Sequence, residues 1–213
     1  MKLTAPLIPL YADDFLLVFD KPAGLLSVPG RGPENQDCLS ARAQAVYPDA
    51  LTVHRLDMAT SGLIVMARGP LVHRQLNRFF QDRKVNKTYQ AVVFGQFDRL
   101  AGDIDLPLIC DWPNRPRQMV DFERGKPSLT HYSVLAYDPV QHTSQVELKP
   151  HTGRSHQLRV HLQALGHPIL GDDLYAPPAV CGSSPRLLLH ACQLELAHPH
   201  TGEWMIFTCP TPF

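Results

Sequence analysis

The chain has 213 residues, 44% of them hydrophobic, with 20 basic and 20 acidic side chains and a formal net charge of zero. This is the composition of a globular protein with a sizeable core, which excludes disordered and fibrous chains, and no apolar run approaches the ~20 residues of a membrane-spanning helix. Five cysteines, never spaced as C-x-x-C, and an N-terminus without a signal-type apolar stretch point to reduced thiols in the cytoplasm.

In chain order, residues 15–20 (FLLVFD) read as a buried strand that ends at the turn Lys21-Pro-Ala-Gly. Residues 39–46 read as a short helix, with Asp37 as its N-cap. Residues 63–67 (LIVMA) form a second buried strand. Leu71, Leu76, Phe79 and Phe80 then recur at helical spacing, so 70–83 is an amphipathic helix with its basic side outward. Residues 87–95, 128–137 and 143–149 alternate and are rich in β-formers, as strands are. A helix over 157–165 closes at Gly166, and strands follow at 187–192 and 204–208. Strands outnumber helices and alternate irregularly. The expected fold class is α+β, with a mixed, mainly antiparallel central sheet flanked by helices and loops.

Zero net charge argues against a nucleic-acid partner only if the charges are evenly spread. Residues 68–87 carry six cations (Arg68, Arg74, Arg78, Arg83, Lys84, Lys87) against Asp82 alone, and 149–161 carry three cations and no acid, so the remainder must hold −8. Two basic segments with interleaved His and Phe make a nucleic-acid groove worth considering beside the ordinary reading, a solvated helix face.

Four blocks stand out as carriers of chemistry. In Val53-His-Arg-Leu-Asp57, an acid lies in a turn with His54 and Arg55 ahead of it and a buried strand behind. It is a candidate nucleophile or general base, and equally a turn-capping Asp. In Lys87-Thr-Tyr89 the tyrosine is placed to stack on a planar ligand or to pack as core. The segment from His151 to His161 holds two Arg, three His and a Gln without an acid, a density suited to phosphate or to a buried carboxylate. Arg186-Leu-Leu-Leu-His190 is an apolar strand, either a pocket floor or plain core. There is no H-E-x-x-H, Walker A, G-x-G-x-x-G or G-x-S-x-G. His198 and His200, near Cys192 and Cys209, match no zinc spacing, so no metal is expected.

Taken together, His54-Arg-Leu-Asp57 with Thr60-Ser-Gly62, Lys87-x-Tyr89-x-Ala-x-Val93, Thr152-Gly-Arg-Ser-His-Gln-Leu-Arg-Val-His161, Gly166-His-Pro-Ile-x-Gly171-Asp172 and Leu187-Leu-Leu-His-Ala191 resemble the RluA family of pseudouridine synthases. Lys21-Pro-Ala-Gly-Leu25 fits the family's opening motif. Leu26-Ser-Val-Pro-Gly30 and the loop 105–118 resemble one subgroup, which acts on both the tRNA anticodon loop and large-subunit ribosomal RNA.

The resemblance implies one catalytic domain over 1–213, with a short extension at 1–14 and no S4-type RNA-binding domain. It implies isomerisation of uridine to pseudouridine in RNA stem-loops, without cofactor or metal. With no extra domain and no heptad pattern, a monomer is the default expectation. It assigns the catalytic carboxylate to Asp57, an ion pair with Asp57 to Arg159, stacking on uracil and proton transfer to Tyr89, and an apolar wall to Leu188. Arg55 would enter the space left by a flipped base. His54, Arg78, Arg83, Lys84, Asn114, Arg115, Arg117, Arg154 and His156 would contact RNA. A non-catalytic RNA-binding domain on the same fold is the alternative, and a nucleoside hydrolase lacks its second acid.

Overall fold

The computed structural model describes residues 7–213. Residues 1–6 of the expected N-terminal extension lie outside that range. The elements are β1 (Tyr11–Ala12), β2 (Leu16–Lys21), a 3₁₀ turn (Pro33–Asn35), α1 (Leu39–Gln44), β3 (Ala50–Thr52), β4 (Ser61–Arg68), α2 (Gly69–Gln81), β5 (Asn86–Phe94) and β6 (Ala101–Asp105). They continue with β7 (Leu108–Cys110), β8 (Gln118–Val120), β9 (Leu129–Asp138), β10 (Thr143–Pro150), α3 (Gln157–Ala164), α4 (Pro178–Cys181), β11 (Leu189–Ala197) and β12 (Trp204–Thr208). The chain forms two compact units, one of residues up to 86 with 191–211, the other of 87–190 with 212–213. Strands dominate both, as the α+β reading expects.

In the first unit the strand order is β1-β2-β4-β11, with β3 added to β4 and β12 to β11. β2 runs antiparallel to β4, from Leu16 opposite Ala67 to Lys21 opposite Gly62. Both strands are apolar without alternation because both faces are covered. Leu16, Val18, Leu63, Val65 and Ala67 pack with Val72, Leu76, Phe79 and Phe80 of α2. Leu17, Phe19, Ile64 and Met66 point the other way and pack with Leu39 and Ala43 of α1. Gly62, the second residue of β4, sits at φ 112°, and a Cβ there would stand 2.3 Å from the Ala191 carbonyl oxygen of β11. Only glycine lets the two backbones pass.

Two local expectations are corrected. Asp37 does not cap α1; the Cys38 thiol accepts the Ala41 N–H at 3.4 Å, while Asp37 binds the Arg42 guanidinium. Leu71 is 72% exposed, and Val72 takes its core position, one helical turn before Leu76.

In the second unit the order is β5-β10-β9-β6, and β7 and β8 form a separate hairpin. That hairpin replaces the loop expected over 105–118. His161, in α3, is fully buried, with its imidazole between the Thr130 hydroxyl (3.0 Å) and the Leu106 carbonyl (3.0 Å).

Candidate active site

The loop between β3 and β4 carries His54, Arg55 and Asp57, and buried polar groups hold it in place. The Ser27 hydroxyl donates to the Leu56 carbonyl (2.7 Å) and accepts the Leu56 N–H (3.1 Å). Lys21, fully buried, donates from Nζ to the carbonyls of Pro22 (2.9 Å), Leu25 (2.8 Å) and Met58 (3.2 Å). An ammonium out of water needs such a set of acceptors. The Thr60 N–H donates to the Asp57 carbonyl at 3.1 Å and closes the turn. The backbone on both sides of Asp57 is therefore pinned, and its side chain is half-buried. Arg55 is exposed. His54 turns inward: its Nε2 accepts the Val65 N–H at 3.0 Å and its ring stacks on Phe80 at 4.6 Å.

In α2, Arg74 and Arg78 are exposed. Beyond its end, Arg83 has φ 57°. The Lys84 N–H reaches the Phe79 carbonyl (2.8 Å) and the Arg83 N–H the Phe80 carbonyl (3.3 Å), a Schellman ending in which arginine occupies the glycine position. Lys84 lies 3.8 Å from Asp82.

In the second unit, Tyr89 is half-buried on β5, opposite Leu148 of β10. Lys87, two residues earlier, is held below the usual lysine range by burial. Leu188 is half-buried, and its backbone bonds to Val92 and Leu170.

The basic segment 149–161 divides by direction. Gln157 is buried and organises the loop before α3: its Oε1 accepts from Thr152 Oγ1 (2.7 Å) and the Arg154 N–H (3.0 Å), and its Nε2 donates to Leu129 and Thr130. Arg154 is exposed, while Arg159 is 3% exposed. Arg159 makes a bidentate pair with Asp172, Nε to Oδ2 at 2.8 Å and Nη2 to Oδ1 at 2.6 Å, and Nη2 also reaches Asp173 at 3.0 Å. Asp172, fully buried, ends the segment Gly166-His-Pro-Ile-x-Gly171-Asp172, and nothing in that segment marks it as the partner of Arg159. Its partnership is long-range and has no spacing signal. His156 sits at φ 54° with Nδ1 2.7 Å from the Tyr175 hydroxyl.

The turn between β7 and β8 projects Asn114, Arg115 and Arg117. Asn114 donates to both Asp111 oxygens and so closes the turn. Arg115 lies 4.6 Å from the ring of Trp112, which is 65% exposed. No motif marks Trp112; an aromatic three residues before Arg115 and five before Arg117, in a Pro-rich turn, is the signal the sequence offers. His198 binds Asp13 through Nε2 and accepts the backbone N–H groups of His200 and Thr201 at Nδ1, so both nitrogens serve the fold.

The RNA pseudouridylate synthase family matches residues 15–164, most of the chain and parts of both units. The chain belongs to this family. The synthase is 54% identical over 207 residues to the dual-specificity RNA pseudouridine synthase RluA of Escherichia coli strain K12, covering 97% of this chain and 94% of the relative. It is 53% identical to the protein of that name from Pasteurella multocida, over 94% and 91% of the two chains. The solved structure of human RNA pseudouridylate synthase domain containing 1 superimposes with a TM-score of 0.81 at 30% identity, over all of this chain and 87% of the other. The synthase is an isomerase that makes pseudouridine in RNA. Among the described residues, no helix is long and apolar enough to cross a membrane.

Proposed function

We propose that the synthase isomerises uridines in stem-loops of large-subunit ribosomal RNA and of the tRNA anticodon arm, and that it works in the cytoplasm. The observation that carries this reading is the 54% identity, over nearly the full length of both chains, to a synthase named for dual specificity. Five free cysteines suit a reducing compartment.

The reaction breaks the C1′–N1 bond, turns the uracil and joins C1′ to C5; N1 gains a proton and C5 loses one. Asp57 supplies the carboxylate that acts on the nucleotide. The doubly clamped peptide on either side of it supports this role, because a reacting group must be held before the base arrives. Arg159 orients Asp57, and its own aim is fixed by Asp172. Tyr89 stacks on the uracil and serves in proton transfer at C5, and Leu188 walls the base from water. The target uridine is flipped from its stack, and Arg55, exposed two residues before Asp57, enters the vacated space. Arg78, Arg83, Lys84, Arg115, Arg117, Arg154 and His156 contact the RNA backbone. His54 and Asn114 serve this interface indirectly, by holding the Asp57 loop and the hairpin turn.

The test is tritium release from RNA labelled at uridine C5. Asp57→Asn is expected to abolish release while its RNA affinity stays within about threefold of the native protein. Turnover by that variant above a hundredth of the native rate refutes the role of Asp57.

A further inference from the structure

Tyr175 follows α3 and is 7% exposed, packed with Leu108 and Val160. Its N–H donates to Asp172 Oδ1 at 3.0 Å, the oxygen that also receives Arg159 Nη2. The Arg159 guanidinium lies 5.2 Å from its ring centre, and that of Arg117 5.4 Å. Its hydroxyl accepts the Gln118 N–H at 2.8 Å and shares a hydrogen bond of 2.7 Å with His156 Nδ1. A tyrosine kept only for its bulk needs one polar partner for its hydroxyl. This one joins three segments: the hairpin turn at Arg117–Gln118, the loop before α3 at His156, and the buried pair Arg159–Asp172. The His156 end of the link is held in the left-handed region, which non-glycine residues rarely adopt.

We propose that Tyr175 is a positioning residue that couples the hairpin's hold on RNA to the aim of Arg159. The proposal rests on the reading of the hairpin as an RNA contact and of Arg159 as the orienting arginine. RNA bound at Arg117 fixes the turn. Gln118 then fixes the hydroxyl, and the ring and the Asp172 contact fix the guanidinium. An RNA that does not engage the hairpin leaves this chain of contacts loose, so the coupling also selects substrates.

Tyr175→Phe keeps the ring and its packing and removes the hydroxyl alone. On a stem-loop substrate its kcat is expected to fall at least tenfold. In an Asp57→Asn background the same change should move the RNA dissociation constant less than threefold. Combined with Arg117→Ala, the loss in kcat/KM should be smaller than the product of the single losses, because the hydroxyl matters only when the hairpin grips. If the phenylalanine variant does not fold, Gln118→Pro removes the backbone N–H that reaches the hydroxyl and must show the same dependence on Arg117. A lowered melting temperature with kcat within twofold of native makes Tyr175 a core residue only and overturns the proposal, as do losses that multiply. Full turnover by Arg159→Lys refutes the reading of Arg159, and the proposal with it. An inactive Arg159→Lys beside an active Tyr175→Phe refutes the proposal alone.

Discussion

Ser27 binds both the N–H and the carbonyl of Leu56, inside the protein and one residue from Asp57. Ser27→Ala leaves two backbone groups without that partner, a loss of about 1–3 kcal/mol for a buried site. The displacement falls on the Asp57 loop, so kcat should drop roughly tenfold with KM within about threefold, by the geometric sensitivity of a pinned reacting group. Ser27→Thr, which keeps the hydroxyl, should retain most turnover. Steady-state kinetics beside thermal melts separate the two effects. His161 gives a prediction in pH. Leu106 offers its ring only a carbonyl acceptor, so Nε2 carries the proton and Nδ1 accepts from Thr130. Burial pushes this imidazole below its ordinary range, opposed by the Leu106 carbonyl and by Asp105. The unfolded chain therefore takes up a proton near pH ~6.5 while the folded one does not. Stability is full above that pH and declines as pH falls through it. Melting temperatures between pH 7.5 and 5.5 should show the decline, and His161→Gln should reduce it.

At the scale of elements, Arg83 occupies the left-handed position that ends α2, where a glycine carries no Cβ penalty. Arg83→Gly should stabilise the protein by up to ~1 kcal/mol, read as a higher melting temperature, while weakening RNA binding. A change that strengthens the fold and harms binding marks the arginine as kept for RNA; unchanged affinity would remove Arg83 from the interface. The same helix shows what was legible in the sequence. Its apolar spacing, the buried runs of β2 and β4, and the alternation of β5, β9 and β10 all lie within single segments, and each was readable. β1, β3, β7 and β8 have two or three residues each and too few positions to display a period. In the proposed site, the local sequence offers Asp57 as an acid in a turn and Tyr89 as a stacking ring, each beside a structural alternative, and only the resemblance singles out Arg159. The contacts that hold them were hidden: nothing local marks Lys21 as buried, or Asp172 as the partner of an arginine thirteen residues before it.

For the whole molecule, zero net charge is a sum over groups in very different states. Arg159 is buried against Asp172, and Arg68 is tied to Asp49 at 3.1 Å and to the Asp13 carbonyl at 2.9 Å. These cations belong to the fold, and the acids beside them account for part of the negative remainder. Arg74, Arg78 and Arg83 are exposed on and just after α2, and Arg154 is exposed before α3. Counterion release depends on the cations that reach phosphate, whatever the total charge. RNA affinity should therefore fall linearly with the logarithm of salt concentration despite the neutral composition. Arg78→Gln should reduce that slope by about 1 if Arg78 meets a phosphate. Arg68→Gln should leave the slope unchanged and lower the melting temperature, since it breaks contacts within the protein. Binding isotherms at four or five salt concentrations decide the matter: equal slopes for the native protein and Arg78→Gln would show that α2 does not face the RNA, and a flat native dependence would refute the electrostatic reading of both basic segments.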